Sequence, residues 1–133
     1  MDHQHQVEGR VLAIVERGYR GALEKQFFDE LYLATELHRQ LGGLDILLRG
    51  TAVTYALDTG PMPALRIGNR TVDTLTDPRQ GLRTLLAAGV GIWVEAAALA
   101  ALGSLRPLVE GVRLAAEGEL AARWGEYRQI CFL

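Results

Sequence analysis

The stretch GVGIWVEAAALAALG, residues 89–103, decides how this chain is read. Its first half, branched and aromatic residues behind two glycines, has the pattern of a strand buried on both faces. Its second half, Ala- and Leu-rich, reads as a short helix. One carboxylate, Glu95, stands at the junction. In open α/β folds the carboxyl ends of parallel strands are where ligands and reactive groups collect. A carboxylate in so apolar a run is costly if buried unpaired. Glu95 is therefore expected to be exposed, protonated, salt-bridged to Arg20 or Arg49 or across a subunit interface, or part of a site.

The same strand-then-helix rhythm recurs on either side. VLAIVER (11–17) is a buried strand, and GYRG (18–21) a glycine-bounded loop. From Ala22 to Leu41 the apolar positions Leu23, Phe27, Leu31, Ala34, His38 and Leu41 recur every three or four residues, the period of a helix, which Gly42 and Gly43 end. LDILLRG (44–50) is the second strand, followed by a short apolar turn, TAVTYAL. Residues 58–76, with two prolines and two glycines, read as a long loop carrying a hairpin around Gly68-Asn69. Asp77-Pro78 starts a helix whose inward face is Leu82, Leu85 and Leu86 and which Gly89 closes. After VGIWVEA come a weak fourth strand, VRLAA (112–116), a final helix, GELAARWGEY (118–127), and a last strand, QICFL (129–133). Strands alternating with helices through short loops predict a doubly wound, mainly parallel five-stranded α/β sheet in one domain, residues 9–133, behind a flexible tail, residues 1–8.

Composition narrows the function classes. The 133 residues are 49% hydrophobic and 23% charged, with 14 basic against 16 acidic side chains and a net charge of -2. Such a balance gives no bulk attraction to nucleic acid or an anionic membrane. Lys25 is the one lysine among arginines. A single cysteine excludes an internal disulfide and any paired-cysteine metal site. The polar start MDHQHQVEGR does not read as a signal peptide. The longest apolar run, broken by Glu95, falls short of the ~20 residues of a membrane-spanning helix. A cytoplasmic protein is expected.

Chemical motifs are few. No GxGxxG or GxxxxGK[ST] follows the first strand, so no nucleotide cofactor is expected, and Tyr19 and Arg20 either face a site at the strand end or lie in a solvated loop. His3 and His5 fall in the tail and His38 borders the first helix, so no metal site is expected. No nucleophile elbow is present. Cys131, between Ile130 and Phe132, is either a small buried hydrophobe or a thiol whose pKa a neighbour such as Arg128 lowers.

In order along the chain, the glycine loop, the helix FFDELYLATELHRQ, LDILLRGTAVTYAL, GIWVEAAALAALG, LVEGVRL and the closing QICFL resemble the DsrE/DsrF-like family of sulfur-relay subunits, in layout closest to the DsrF/TusC branch. The resemblance covers roughly residues 10–133 and rests on the whole pattern, with no single diagnostic motif. It implies a flavodoxin-like domain assembling into trimers or hexamers, homo- or hetero-oligomeric, with sulfur-relay proteins as partners. Catalytic members of that family carry sulfur as a persulfide on a cysteine in or just after the strand matching GIWVEAA, because a thiolate can both attack a sulfane sulfur and pass it on. Here that segment reads Trp93, Val94, Glu95, Ala96, Ala97 and holds no cysteine. Three expectations follow: a subunit without the carrier thiol and without enzymatic activity; a sulfurtransferase that uses Cys131 instead; or a binder of a small ligand, with Glu95 and nearby arginines as its polar groups.

Overall fold

A computed structural model describes residues 7–17, 30–58, 65–72, 78–103 and 106–133. Strands β1 (Val11–Val15), β2 (Leu44–Leu48), β5 (Gly91–Glu95), β6 (Arg113–Ala115) and β7 (Gln129–Phe132) form one sheet in the order β6-β5-β2-β1-β7, every pairing parallel. Strands β3 (Leu65–Ile67) and β4 (Arg70–Val72) form a separate antiparallel hairpin, turning at Gly68 and Asn69 as expected. Helices α1 (Glu30–Leu41), α2 (Pro78–Ala87) and α3 (Ala96–Leu102) complete the layout. Every residue of β1 and β2 is buried, the reason their sequences are continuous apolar runs and do not alternate.

The two faces of the sheet are covered differently. Val11, Ala13 and Val15 of β1, with Ile46, Leu48, Ile92 and Val94, pack under α1, α2, α3 and the 3-10 segment Gly50–Ala56. Leu12, Ile14, Leu47, Trp93 and Ala115 point to the other face, against Val7, Leu120, Tyr127 and the partly buried Trp124. Right-handed crossovers running one way from β1 to β6 put all three helices on one side. The return connection, from β6 back across the sheet to β7, therefore covers the opposite side. In chain order the five parallel strands lie 4-3-2-1-5, where flavodoxin itself has 2-1-3-4-5, and in each the winding reverses beside β1.

Several expectations need correction. The final helix is not an α-helix: residues 117–120 are turns and Ala121–Glu126 is a 3-10 helix. Gly118, at φ 77°, and Gly125 each disfavour an α-helix by about 1 kcal/mol, and so short a stretch cannot offset nucleation. The apolar turn TAVTYAL is a 3-10 helix over Gly50–Ala56. Val7, assigned to the tail, is 1% exposed and belongs to the second core cluster, so the packed body reaches at least to it. The first half of the first helix, residues 22–29, and the N-cap Asp77 lie outside the described residues. Among the described residues no helix is long and apolar enough to cross a membrane.

The amino end of the sheet is held by one buried carboxylate. Asp45, in β2, is fully buried. Its Oδ1 accepts from Arg10 Nε at 2.9 Å and from the Gly91 amide at 3.2 Å, and its Oδ2 accepts from the Tyr127 hydroxyl at 2.9 Å. Arg10 also donates to Leu44 O at 2.7 Å. One side chain thus joins β2, β5, the segment before β1 and the end of the return crossover. Burial, and after it the Asp45 carboxylate, push the Tyr127 phenol well above the ordinary tyrosine range.

A charged row at the carboxyl edge of the sheet

The opposite edge carries the residues singled out for function. Val15 pairs with Leu48, and Leu48 with Val94, so the next residues along, Glu16, Arg49 and Glu95, end three adjacent parallel strands in one row. Glu95 pairs with Ala115 at the row's far end. Side chains alternate between faces along a strand. Leu47 and Trp93 belong to the face under the return crossover, so Arg49 and Glu95, two residues on, share it.

The middle residue is committed to one side. Arg49 Nη2 lies 3.3 Å from Glu16 Oε2, and its guanidinium stands 5.6 Å from the centre of the Phe132 ring. Both partners sit where β1 and β7 end, at the point where the winding reverses. Glu95 is half-buried, precedes α3 without making a side-chain cap bond, and has no ion pair among the described residues. Of the alternatives for Glu95, the bridge to Arg49 does not form: Arg49 pairs with Glu16, where it finds both a carboxylate and an aromatic face. Tyr19 and Arg20 lie outside the described residues.

Between this row and the return crossover is a cleft of about 120 Å³. Arg49 and Glu95 supply its polar groups, and Leu47, Ala115, Leu120 and Trp124 are among its apolar walls. The Trp124 Nε1 is shielded from water and has no acceptor among the described residues. Below the row, the Arg113 guanidinium stacks 5.5 Å from the Trp93 ring.

Cys131 is elsewhere. It lies half-buried in β7, paired with Ala13 and packed against the helical side of the sheet. Three strand spacings, about 14 Å, and the thickness of the sheet separate it from Glu95. Burial pushes its thiol up. That agrees with the buried-hydrophobe alternative and not with a thiol activated by Arg128, whose guanidinium donates to Leu41 O at 3.4 Å. Among the described residues no group of three His, Cys, Asp or Glu side chains is placed to hold a metal ion.

Sequence reasoning missed Glu16, Phe132 and Trp124 as neighbours of the row. It also passed over Asp45, although a carboxylate inside LDILL carries the same signal that drew attention to Glu95 inside GIWVEAA.

No protein-family model matches the chain, and no curated protein matches it by sequence. Solved structures do. The crystal structure of the YchN protein from E. coli superposes with a TM-score of 0.71 at 22% identity, covering 94% of this chain and 99% of that one. MTH1491 from Methanobacterium thermoautotrophicum, a protein of unknown function, superposes with a TM-score of 0.60 at 16% identity, covering 93% of this chain and 99% of that one. Both neighbours have the DsrE/DsrF-like fold. At these identities the likeness establishes the fold alone.

Proposed function

We propose that this chain is a DsrE/DsrF-like protein of cytoplasmic sulfur metabolism that acts within an oligomer as a subunit without a sulfur-carrying thiol. The observation that carries this reading is the junction of β5 and α3, where the chain presents Glu95. A carboxylate cannot form a persulfide, and the one cysteine sits on another strand, on the other face, with its thiolate disfavoured by burial. The fold shared with YchN and MTH1491 supports the family half of the reading.

Intact mass spectrometry of the folded protein, before and after a sulfane-sulfur donor and beside Cys131→Ser, tests it. An unchanged mass, with Cys131 alkylating more slowly in the folded protein than after unfolding, is the expected result. A species about 32 Da heavier, one sulfur atom, that disappears in Cys131→Ser would overturn it and make the chain a sulfurtransferase working through Cys131.

A second reading, a binder of a small ligand, is supported by its own observation: the cleft under the return crossover, lined by Arg49 and Glu95. Ligand-dependent thermal stabilisation is its first test.

A further inference from the structure

The two ionic residues of the cleft, Arg49 and Glu95, are not equivalent. The Arg49 guanidinium is ion-paired with Glu16 at 3.3 Å and lies over Phe132. The next carboxylate in the row, Glu95, lines the cleft without an ion pair among the described residues. Of the other charged groups around the row, Arg113 is placed over Trp93, and Glu119 Oε1 accepts from the Ala116 amide at 3.3 Å. Among the described residues the row Glu16–Arg49–Glu95 thus carries two negative charges and one positive, and the carboxylate without an ion pair, Glu95, lines the cleft.

The remaining walls suit the body of a cation. Trp124 supplies an indole, the aromatic group that attracts an ammonium most strongly, and Leu47 and Leu120 are apolar. A cavity of about 150 Å³ accommodates a benzene molecule, so one of about 120 Å³ has room for about five heavy atoms. We infer that the cleft binds a compact protonated amine, its ammonium on the Glu95 carboxylate and its short apolar body against Trp124 and Leu120. This inference rests on the ligand-binding reading and names the ligand class that reading leaves open.

Three probes of similar size separate the possibilities: n-propylammonium chloride, n-propanol and sodium propionate, titrated at constant ionic strength into the 15N-labelled full chain. The indole N–H signal of Trp124, told from that of Trp93 with Trp124→Phe, reports on the cleft. The expected result is a saturable shift of the Trp124 signal with propylammonium, weakened at least tenfold in Glu95→Gln and absent with propionate. The backbone amide spectrum shows whether Glu95→Gln keeps the fold, and propanol, the neutral isostere, tests the charge preference on the unmutated chain. Equal binding of propanol, binding of propionate, or an unweakened response in folded Glu95→Gln overturns the assignment of a cation while leaving a ligand-binding cleft. Silence with all three probes overturns the inference and the ligand-binding reading together.

Discussion

The Tyr127 hydroxyl donates to Asp45 Oδ2 at 2.9 Å, joining the end of the return crossover to the middle strand of the sheet. Asp45 is fully buried, so each of its partners replaces a water that the carboxylate gave up on folding. Removing the acceptor leaves Arg10 half-paired and two donors unsatisfied. Asp45→Ala should cost about 3 kcal/mol, the low end for breaking a buried pair because the Arg10 side chain keeps some solvent access. Tyr127→Phe should cost about 1–3 kcal/mol. Urea denaturation of both single variants and the double variant would show a coupling energy; strict additivity would mean that the bond contributes nothing of its own.

The same bond sets the alkaline limit of the fold. Tyr127 has its folded-state pKa raised, by burial first and the Asp45 carboxylate second, so its neutral form is the one that folds. Its contribution is fully present below the unfolded pKa near 10 and is lost as pH rises beyond it, by up to about 1.4 kcal/mol per pH unit. Stability measured from pH 8 to 11 should fall more steeply in the natural sequence than in Tyr127→Phe. Parallel curves would rule out this role.

At Gly50 the chain leaves β2 with φ at 58°, and a Cβ there would stand 3.0 Å from the backbone oxygen of Glu16. Both terms oppose any other residue. Gly50→Ala is expected to cost about 1–3 kcal/mol. Gly118→Ala, with similar φ but open space around it, isolates the conformational part and should cost less. Equal losses would show that the close approach to Glu16 is harmless.

The Arg49–Glu16 pair should be nearly silent in stability. Its side chains are 29% and 50% exposed, so solvent screens it, and Arg49→Gln is expected to change stability by about 0–1 kcal/mol. The difference should shrink further in 1 M salt. A larger, salt-insensitive loss would point instead to the packing of the guanidinium on Phe132.

Cys131 should alkylate slowly. Burial raises its thiol pKa, so the rate with a small maleimide or iodoacetamide at pH 7 is expected to fall below that of a free cysteine peptide and to keep rising above pH 9. A rate at pH 7 above that of the peptide would contradict the burial seen in β7.

The parallel architecture was legible because buried parallel strands leave an unmistakable mark: VLAIV, LDILL and GIWVE are each too short and too apolar to be anything but central strands. The hairpin at Gly68-Asn69 was legible for a local reason, its turn residues. GELAARWGEY misled because Leu120, Trp124 and Tyr127 have helical spacing, while Gly118 and Gly125 break the helix that spacing suggests. Glu95 was found by its contrast with its neighbours. Its relation to Arg49 was not, since pairing within a row depends on which neighbour offers the better partner, and Glu16 with Phe132 outcompeted it. Sequence order alone cannot rank such partners.

β7 is the last strand of the described chain, yet it pairs with the first, Gln129 to Phe132 lying alongside Val11 to Ile14. Until the return crossover has been threaded across the sheet, β1 presents an open hydrogen-bonding edge and five apolar residues. Contacts of such wide sequence separation form slowly. The order of strands therefore makes closure of the β1 flank the late step of folding and the interval in which a newly made chain is most exposed to aggregation.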